Sequence, residues 1–572
     1  MDSNRSLIIF ILLLLAAIFY TDVVRWFRPP PKTPPEQRAQ ALATPAAQAQ
    51  PTAGAPQAAS SAAAAAPTSA LATAAADEGV PGPEPLEAAA PAAGAPRTIE
   101  VDTNLYHAVL TTRGARLVSF RLKNYRESVA TNSPLYDLVV PGERLPLGLV
   151  VQIGDRIFGD QTLDYTSTAP PRIEVRKGSD ATLSFTADVK DGLRVTKTFT
   201  FRDGNYIFDI AAEAAGATAA VKAVGLTLSQ PLVELGEGYR DYPALQADVK
   251  GKVLNEYEKE LKKGVQPVVG EITYAGIGDR YFLSAFVPKT PAAGELRMEY
   301  SGGEARAEML FAGALKVVSG VYMGPKQLGV LEEAAPGLSK AINFGWFGFL
   351  AIIFVRLLQL FHVVAPNYGW DIILLTLAVR LATLPASIKA QRSALRMQRL
   401  APQVEKIREK FKNDSAALNR EMMDLYKRNH VNPLGGCIPT AIQFPILYGL
   451  YEALLNAIEL RHAPFIGWIR DLSAPDCYPV AWMPKVPWID CHGIPVLVLL
   501  MGASTFLQQW MMPKPADPNQ QKMMMWMPIF FTVLFIALPA GLSLYYFASN
   551  LLGIIQQYFL NREFKQPAPV AA

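Results

Sequence analysis

The sequence predicts a multi-domain membrane protein: an N-terminal anchor helix, a large antiparallel β-sandwich outside the membrane, and an α-helical bundle of five core transmembrane helices. Three observations support this fold class. The chain has 572 residues, which is too long for one compact domain. Half of its residues are hydrophobic and only 18% are charged, a balance that favours the membrane class. Apolar runs long enough to cross a bilayer follow residue 344, whereas period-two alternation dominates the middle of the chain.

The N-terminal part predicts an anchor followed by a tether. Residues 7–27 form an apolar run that ends in Arg25, Trp26 and Arg28 rather than in a small-residue cleavage site, so residues 1–28 are predicted to be an uncleaved signal anchor. Residues 29–97 are rich in Ala, Pro, Gln, Ser and Thr and have too little apolar bulk to offset the entropy of ordering. This stretch is predicted to be a flexible linker.

Residues 98–325 predict a β-sandwich without catalytic chemistry. Runs such as 115–122 and 193–214 alternate apolar and polar residues and are separated by Gly-containing turns. The segment has a single histidine, His107, and no cysteine, so neither a metal site nor a nucleophile motif is indicated. We expect no cofactor.

Residues 326–366 predict a connection and an amphipathic helix that lies in the membrane interface. Arg356, Gln359 and His362 recur every third residue within the apolar run 344–364, which places them on one helical face. The following loop, 389–432, contains eleven Lys or Arg against five Asp or Glu, which places it in the cytoplasm. With a flat helix at 344–364, the β-domain lies outside; a spanning helix there would place it in the cytoplasm.

The apolar segment 371–389 is long enough to span a bilayer, yet Arg380 lies near its middle. An arginine at that depth costs about 2.5 to 3.5 kcal/mol on insertion scales. Three interpretations remain open: a water-filled functional site, an ion pair with a carboxylate such as Glu452, or a segment that does not span. Thr376 lies one turn away and shares the face of Arg380.

The basic loop 389–432 predicts an antiparallel helical hairpin, with helices at 393–411 and 416–429 and a turn at Asn413, Asp414 and Ser415. Either it is a solvated loop that sets topology, or it is a docking site for a ribosome, a targeting receptor or a nascent chain. The candidate docking residues are Arg392, Arg396, Arg399, Lys406, Arg408, Lys427 and Arg428.

The later apolar runs contain polar residues and prolines that suggest a polar groove inside the bundle. Gln443, Tyr546, Asn550 and Gln556 lie within these runs, where amides usually face a partner or a wet cavity. The predicted transmembrane segments are 367–388, 433–457, 494–512, 525–540 and 541–560, joined by the hairpin 389–432 and by loops 458–493 and 513–524, and followed by a cytoplasmic tail at 561–572.

The order of these features resembles the YidC/Oxa/Alb membrane-protein insertases, in the long form found in Gram-negative bacteria. The resemblance rests on the arginine-bearing span, the basic hairpin, NPLGGC-x-P-x-x-x-Q-x-P at 432–445, ELRHAPFIGWIRDLSAPD at 459–476 and GLSLYYFASNLLGIIQQ at 541–557. It implies an insertase and chaperone of the inner membrane with a periplasmic β-domain and both termini in the cytoplasm. Arg380 matches the groove arginine of that family, and Thr376 and Tyr546 match positions along the substrate path.

The resemblance also implies partners. These are nascent membrane proteins, the ribosome, the Sec translocon, the signal recognition particle receptor and membrane lipids, with no specific DNA binding. The segments 438–457 and 525–538 would form the apolar slide along which a client leaves. No Walker A pattern occurs, so neither ATP hydrolysis nor another enzymatic reaction is expected.

Two cysteines of the loop 458–493 are candidates for a disulfide. Cys477 and Cys491 fall in the loop 458–493, on the side of the membrane where disulfides persist, and we hypothesise that they pair.

A transporter would also need polar groups within spans, but the sequence has no matching pair of broken segments and no acidic relay. A tethered glycan-binding protein would explain the β-domain but not the arginine-bearing bundle.

Overall fold

The computed structural model describes residues 83–89, 95–216, 221–232, 243–289, 293–412, 414–429, 438–486, 491–512 and 518–565. The predicted signal anchor lies outside these residues, as do most of the linker, Cys437 with the rest of the segment 432–437, and the end of the predicted tail. The described chain divides into a β-rich domain and a helical C-terminal region.

Nineteen strands form the β-rich domain in the described residues. They are β1 (Glu84–Pro85), β2 (Thr98–Asp102), β3 (Tyr106–Thr111), β4 (Arg116–Arg126), β5 (Leu135–Asp137), β6 (Gly148–Ile153), β7 (Arg156–Gly159), β8 (Arg172–Glu174), β9 (Asp180–Asp188), β10 (Leu193–Arg202), β11 (Ile207–Gly216), β12 (Val221–Pro231), β13 (Ala244–Val249), β14 (Lys252–Glu256), β15 (Val268–Gly278), β16 (Phe282–Pro288), β17 (Ala293–Ser301), β18 (Glu304–Ala312) and β19 (Lys316–Pro325).

The domain is built on one large curled sheet rather than on a simple sandwich of two separate sheets. Fourteen strands form it, in the order β1-β7-β6-β12-β18-β17-β15-β16-β19-β11-β10-β9, with β13 and β14 attached beside β15. The first part of β15 pairs with β17 and its last part pairs with β16, so this strand carries the sheet round a bend. An irregularity in the β13–β15 register between Asp248 and Val249 accompanies the bend, as expected where an extra residue kinks a strand.

A smaller sheet packs with the large one. It contains five strands in the order β5-β4-β3-β2-β8. The β1–β7 and β2–β8 pairs are parallel, and the other pairs in the domain are antiparallel, which departs from the wholly antiparallel prediction. Strand β10 shows the predicted alternation, with every second side chain buried. Stacked aromatic rings such as Phe201 and Phe208, 4.8 Å apart, fill this core.

One of the inward positions of β10 is a lysine. Lys197 is fully buried and its Nζ lies 2.6 Å from Asp160 Oδ2, which also has no exposed surface. Arg116 reaches the other oxygen of the same carboxylate at 2.7 Å, and Lys197 donates to the carbonyl oxygens of Gly114 and Leu147. Burial lowers the pKa of Lys197 to about 8, a shift that Asp160 opposes, so the ammonium remains charged at neutral pH.

The helical region contains nine helices of more than six residues and a two-stranded ribbon in the described residues, in addition to a short helix α1 (Glu258–Leu261) within the β-domain. They are α2 (Leu328–Ala334), α3 (Gly348–His362), α4 (Tyr368–Arg399), α5 (Ala401–Lys410), α6 (Ser415–Arg428), α7 (Ile438–Asn456), α8 (Val496–Met511), α9 (Pro518–Phe535) and α10 (Ala540–Lys565), with strands β20 (Tyr478–Pro479) and β21 (Gly493–Ile494) before α8.

Among these, α4 is the helix with both the length and the composition to cross a membrane. Three shorter apolar segments are α3 (Gly348–His362), α8 (Val496–Met511) and the part Met524–Phe535 of α9. The prediction of five core spans therefore stays a prediction for the described part of the chain. Helix α3 buries one face, which includes Phe354 and Leu358, and exposes Phe349 and Leu360 on the other, as an interfacial helix would.

The polar residues predicted on one face of α3 each contact a different element. Arg356 pairs with Glu332 of α2 at 2.9 Å. Gln359 donates to Glu459 at 2.8 Å, in the loop after α7. His362 Nδ1 lies 2.7 Å from Asp371 Oδ2, in the first turn of α4. The face thus joins the helix to its neighbours.

The boundary between the arginine-bearing span and the basic hairpin differs from the prediction. Helix α4 continues past Lys389 to Arg399, and the expected hairpin helix 393–411 is divided between α4 and α5. The reason is Pro402, at the start of α5, because proline has no N–H to continue the preceding helix. Asp414 caps α6 by accepting from the backbone N–H of Ala417 at 3.0 Å, as the turn signal predicts.

Arg461 joins the two parts of the molecule. It lies in the loop after α7, and its guanidinium donates to the carbonyl oxygens of Arg126 at 2.9 Å and Glu127 at 3.3 Å, at the end of β4. The same group lies over the rings of Tyr136 and Phe282, at 5.1 and 5.3 Å from their centroids. These contacts hold the β-domain against the loop at one end of the helical region.

We predict that Asp160→Ala destabilises the β-domain by about 3 to 5 kcal/mol, because it leaves Lys197 and Arg116 as buried charges without their carboxylate. Urea titration of the full-length protein in detergent, followed by limited proteolysis of the β-domain, measures the loss. Asp155→Ala is the matched control, because Asp155 pairs with Lys222 but its side chain is 97% exposed, and it should leave the unfolding midpoint unchanged. Equal midpoints for Asp160→Ala and the unmodified protein would contradict the prediction.

Candidate functional site

Arg380 lies near the middle of α4 and is held by α10. It follows the first residue of the helix by twelve positions, which corresponds to about 18 Å along the axis. Its Nε donates to Ser549 Oγ at 2.9 Å and its Nη2 donates to the Ser549 carbonyl oxygen at 2.7 Å. One residue of α10 therefore accepts from two of the five donors of the guanidinium.

Two further helices bring polar side chains to the same place. The Tyr545 hydroxyl of α10 lies beside Ser549 and beside Gln443 of α7. Gly553 lies beside Arg380, and a Cβ there would lie 3.3 Å from Arg380 Nη2 and only 2.3 Å from Gln508 Nε2 of α8. The absence of a side chain at Gly553 thus leaves room for Gln508 and for the guanidinium. Helices α4, α7, α8 and α10 together form the candidate groove.

No carboxylate in the described residues lies within ion-pair distance of Arg380. Glu452, the acidic residue considered as a partner from the sequence, accepts a hydrogen bond from Asn456 on its own helix at 3.0 Å. Within the described chain the charge of Arg380 is therefore met by a hydroxyl and a carbonyl dipole. Its side chain remains partly exposed.

The two ends of α4 differ in burial, and Arg380 marks the change. The buried residues of this helix are Gly369, Asp371, Ile372, Leu375, Thr376 and Val379. From Arg380 to Arg399 every side chain of α4 is partly or largely exposed. Packing thus closes the first part of the helix and leaves the part that leads to the basic hairpin open.

Thr376 and Tyr546 occupy different environments, although the sequence assigns both to the groove. Thr376 is fully buried on the closed side, and its hydroxyl donates to the Ile372 carbonyl oxygen at 2.7 Å. Tyr546 is partly exposed, with its ring 4.8 Å from that of Phe535 on α9. Of these two, Tyr546 has surface that a ligand can reach.

Asn550 and Gln556 bind neighbouring helices. The Asn550 amide donates to Ser504 at 3.0 Å and to Thr505 at 2.7 Å, which joins α10 to α8. Gln556 donates to Ser387 at 2.6 Å and lies 3.2 Å from Gln391, which joins α10 to the open part of α4. Asn550 is therefore a packing contact, whereas Gln556 extends the polar line from Arg380 towards the hairpin.

The sequence prediction of the groove left out Ser549 and Gln508. A signal for Ser549 was present, because Tyr545, Ser549, Gly553 and Gln556 follow one another at helical spacing and share a face. Nothing in the local sequence relates Arg380 to Ser549, since 169 residues separate them.

The candidate docking residues of the hairpin lie on its surface. Arg392, Arg396, Arg399, Lys406, Lys427 and Arg428 are exposed, and Arg408 is partly exposed. The two helices α5 and α6 enclose Val404, which is 2% exposed. The structure therefore places basic side chains on the last turns of α4, at Arg392, Arg396 and Arg399, and on the two helices that follow it.

Cys477 and Cys491 are placed as a disulfide, with their Cα atoms 6.5 Å apart, in the loop between α7 and α8. Next to Cys477, Asp476 accepts from the backbone N–H groups of Leu497 and Val498 at the start of α8. Trp468 Nε1 donates to the same carboxylate at 2.8 Å. Burial raises the pKa of Asp476, and these three donors oppose that rise.

The chain matches two family models over most of its length. Residues 98–357 match a model described as "YidC periplasmic domain", and residues 359–567 match one described as "60Kd inner membrane protein". A curated "Membrane protein insertase YidC" from Syntrophus aciditrophicus is 34% identical over 81% of this chain and 85% of that protein. One from Nitratidesulfovibrio vulgaris is 36% identical over 84% of this chain and 89% of that protein.

A solved structure described as "Active YidC insertase crystal structure with the first transmembrane domain resolved" is also similar to the chain. It is 18% identical, with a TM-score of 0.35, and the match covers 83% of this chain and 95% of that one. This TM-score corresponds to a loose superposition.

We predict that Cys477 and Cys491 pair in the protein isolated from its membrane. Treatment with a reductant should then shift the mass of the peptide that contains both residues by about two hydrogens, because each sulfur gains one. Alkylation before reduction should label neither residue. Full labelling of both thiols without reductant would contradict the pairing, and Cys491→Ser provides the matched control with one free thiol.

Proposed function

The chain belongs to the YidC family of membrane protein insertases, and on this premise we propose how it inserts its clients. The groove around Arg380 receives the hydrophobic segments of nascent proteins and their polar flanks, and the protein releases these segments into the inner membrane, alone or with the Sec translocon. In this proposal it also acts as a folding chaperone, the β-domain is periplasmic and both termini are cytoplasmic.

The observation that carries the proposal is the one-sided burial around Arg380. A polar segment cannot cross about 30 Å of hydrocarbon unaided. On the side of α4 that leads to the basic hairpin, Ser387, Gln391 and Gln556 form a polar line up to the arginine. Beyond the arginine, Leu375 and Thr376 are fully buried and close the path. Such a half-channel admits a polar segment from the hairpin side without opening a pore.

The electrostatics of the groove favour acidic clients. Among the described residues no carboxylate neutralises Arg380, which interacts with Ser549 instead. A positive charge in a region of low dielectric attracts a client carboxylate more strongly than it would in water. The acidic flank of a client can therefore enter beside Arg380 while the adjoining apolar segment of the client stays at the lipid boundary.

Release into lipid supplies the driving force. Helix α9 exposes Ile529, Phe530 and Val533 along one surface, which fits the slide predicted from the sequence. A client segment that moves along this surface into the bilayer gains about 25 cal/mol for each Å² of apolar area removed from water. No nucleotide is needed for such a step.

The basic hairpin is proposed to receive the machinery that delivers clients. Its exposed arginines and lysines lie on the last turns of α4 and on the helices directly after it, so a ribosome docked there would release its chain next to the groove. The receptor of the signal recognition particle is a further candidate partner for this surface.

We expect a photocrosslinking residue at Gln443 or Tyr546 to form adducts with a nascent membrane protein stalled on the ribosome. Both residues adjoin Tyr545 in the candidate groove. Leu360 of α3, which is 60% exposed and lies on the interfacial helix, provides the control position. Mass distinguishes the adducts with the client from the adducts with lipid. Stalled complexes that dock on the hairpin and yet give no client adduct from either groove position would overturn the proposal.

We predict that Arg380→Glu reduces insertion of clients with acidic translocated tails by roughly tenfold more than insertion of the same clients with neutral tails, because the new charge repels the tail. Protease protection of the tail measures insertion. Arg380→Lys keeps the charge and should preserve the preference for acidic tails. An equal loss for both classes of client would make the arginine a structural residue of the bundle.

A further inference from the structure

The loop between α7 and α8 exposes a continuous apolar segment that the groove does not use. Residues 478–484, which we call the apolar arm, read YPVAWMP. Tyr478, Pro479, Ala481, Trp482 and Pro484 are all exposed, and Trp482 has 83% of its surface accessible. A run of seven apolar residues left in contact with water is unfavourable, so it indicates a surface that something covers.

The arm is fixed at the end of a membrane helix. Its first two residues form β20, which pairs with β21 two residues before α8 begins. The backbone N–H of Val480 donates to the His492 carbonyl oxygen at 2.9 Å, which continues the ribbon. Asp476, directly before the arm, accepts from the first turn of α8. The base of the arm therefore has the same depth as the start of α8.

The length of α8 gives this depth. The helix has 16 residues, which corresponds to about 24 Å, whereas the hydrocarbon core is about 30 Å thick. A helix that is shorter than the core places its end at or below the hydrocarbon boundary unless the bilayer thins. Trp482 lies four residues along the arm from Tyr478, at most about 14 Å away. The arm thus starts at the boundary, and Trp482 stays within about 14 Å of its base.

We propose that the apolar arm inserts into the interface of the outer leaflet and that its ligand is phospholipid. Tyrosine and tryptophan favour this layer, because their rings pack on acyl chains while their polar atoms reach water. Residues 477–486 contain Lys485 and no acidic residue, which suits the phosphate of a headgroup. The arm anchors the outer end of α8; its place on the outer side rests on the topology proposed above, whereas its role does not depend on what the groove does.

The test places a photoreactive phenylalanine at position 482 of the full-length protein in vesicles of phosphatidylethanolamine and phosphatidylglycerol. Leu499 of α8 and Val129 of the β-domain provide the matched controls, because their exposures, 51% and 49%, are nearly equal. We expect the yield of lipid adducts at 482 to be within about twofold of that at 499 and at least about fivefold above that at 129.

A lipid-adduct yield at 482 that lies closer to the Val129 value than to the Leu499 value overturns the proposal. Adducts that form mainly with a client or another protein also overturn it and assign the arm to a protein partner. Pairing of the two cysteines on either side of the arm, checked by mass in the same sample, shows that the loop has kept its structure.

Discussion

A guanidinium in the middle of a helix that is long and apolar enough to cross a membrane needs polar contacts that lipid does not offer, and the helices beside α4 meet this requirement. Ser549 of α10 supplies a hydroxyl and a carbonyl oxygen to Arg380. Gly553, one turn further along α10, lets Gln508 approach. Charge-assisted hydrogen bonds contribute about 1.5 to 3 kcal/mol each, which is comparable with the cost of placing the arginine there. The packing of α4 against α10 follows from that balance.

The end of the bundle next to the β-domain is held by a different set of contacts. His362 bonds to Asp371, Gln359 bonds to Glu459, and Arg461 bonds to the end of β4. These contacts connect α3, the loop after α7 and the β-domain on the side where α4 is buried. The closed side of Arg380 is therefore braced by polar contacts between elements, whereas the open side is lined by exposed residues of α4 itself.

The sequence predicted those features that depend on local pattern. The alternation of apolar and polar residues along β10 and the apolar run around Arg380 both indicate which side chains are buried. The cap at Asp414 depends on its immediate neighbours in the sequence. The curled sheet was not predicted because it depends on β15 changing its partner, which is a choice between distant strands. Ser549 was missed for the same reason, whereas the helix boundary at Pro402 had a local signal that the prediction overlooked. The function came from the order of motifs.

Helix α4 also has a mechanical consequence. Its 32 residues extend for about 48 Å, so roughly a third of its length projects beyond a hydrocarbon core about 30 Å thick. Pro385 interrupts its hydrogen bonding one turn after Arg380, because proline cannot donate to the Leu381 carbonyl oxygen. Any bending of α4 therefore concentrates between Arg380 and the projecting part, because that is where the hydrogen bonding of the helix is interrupted.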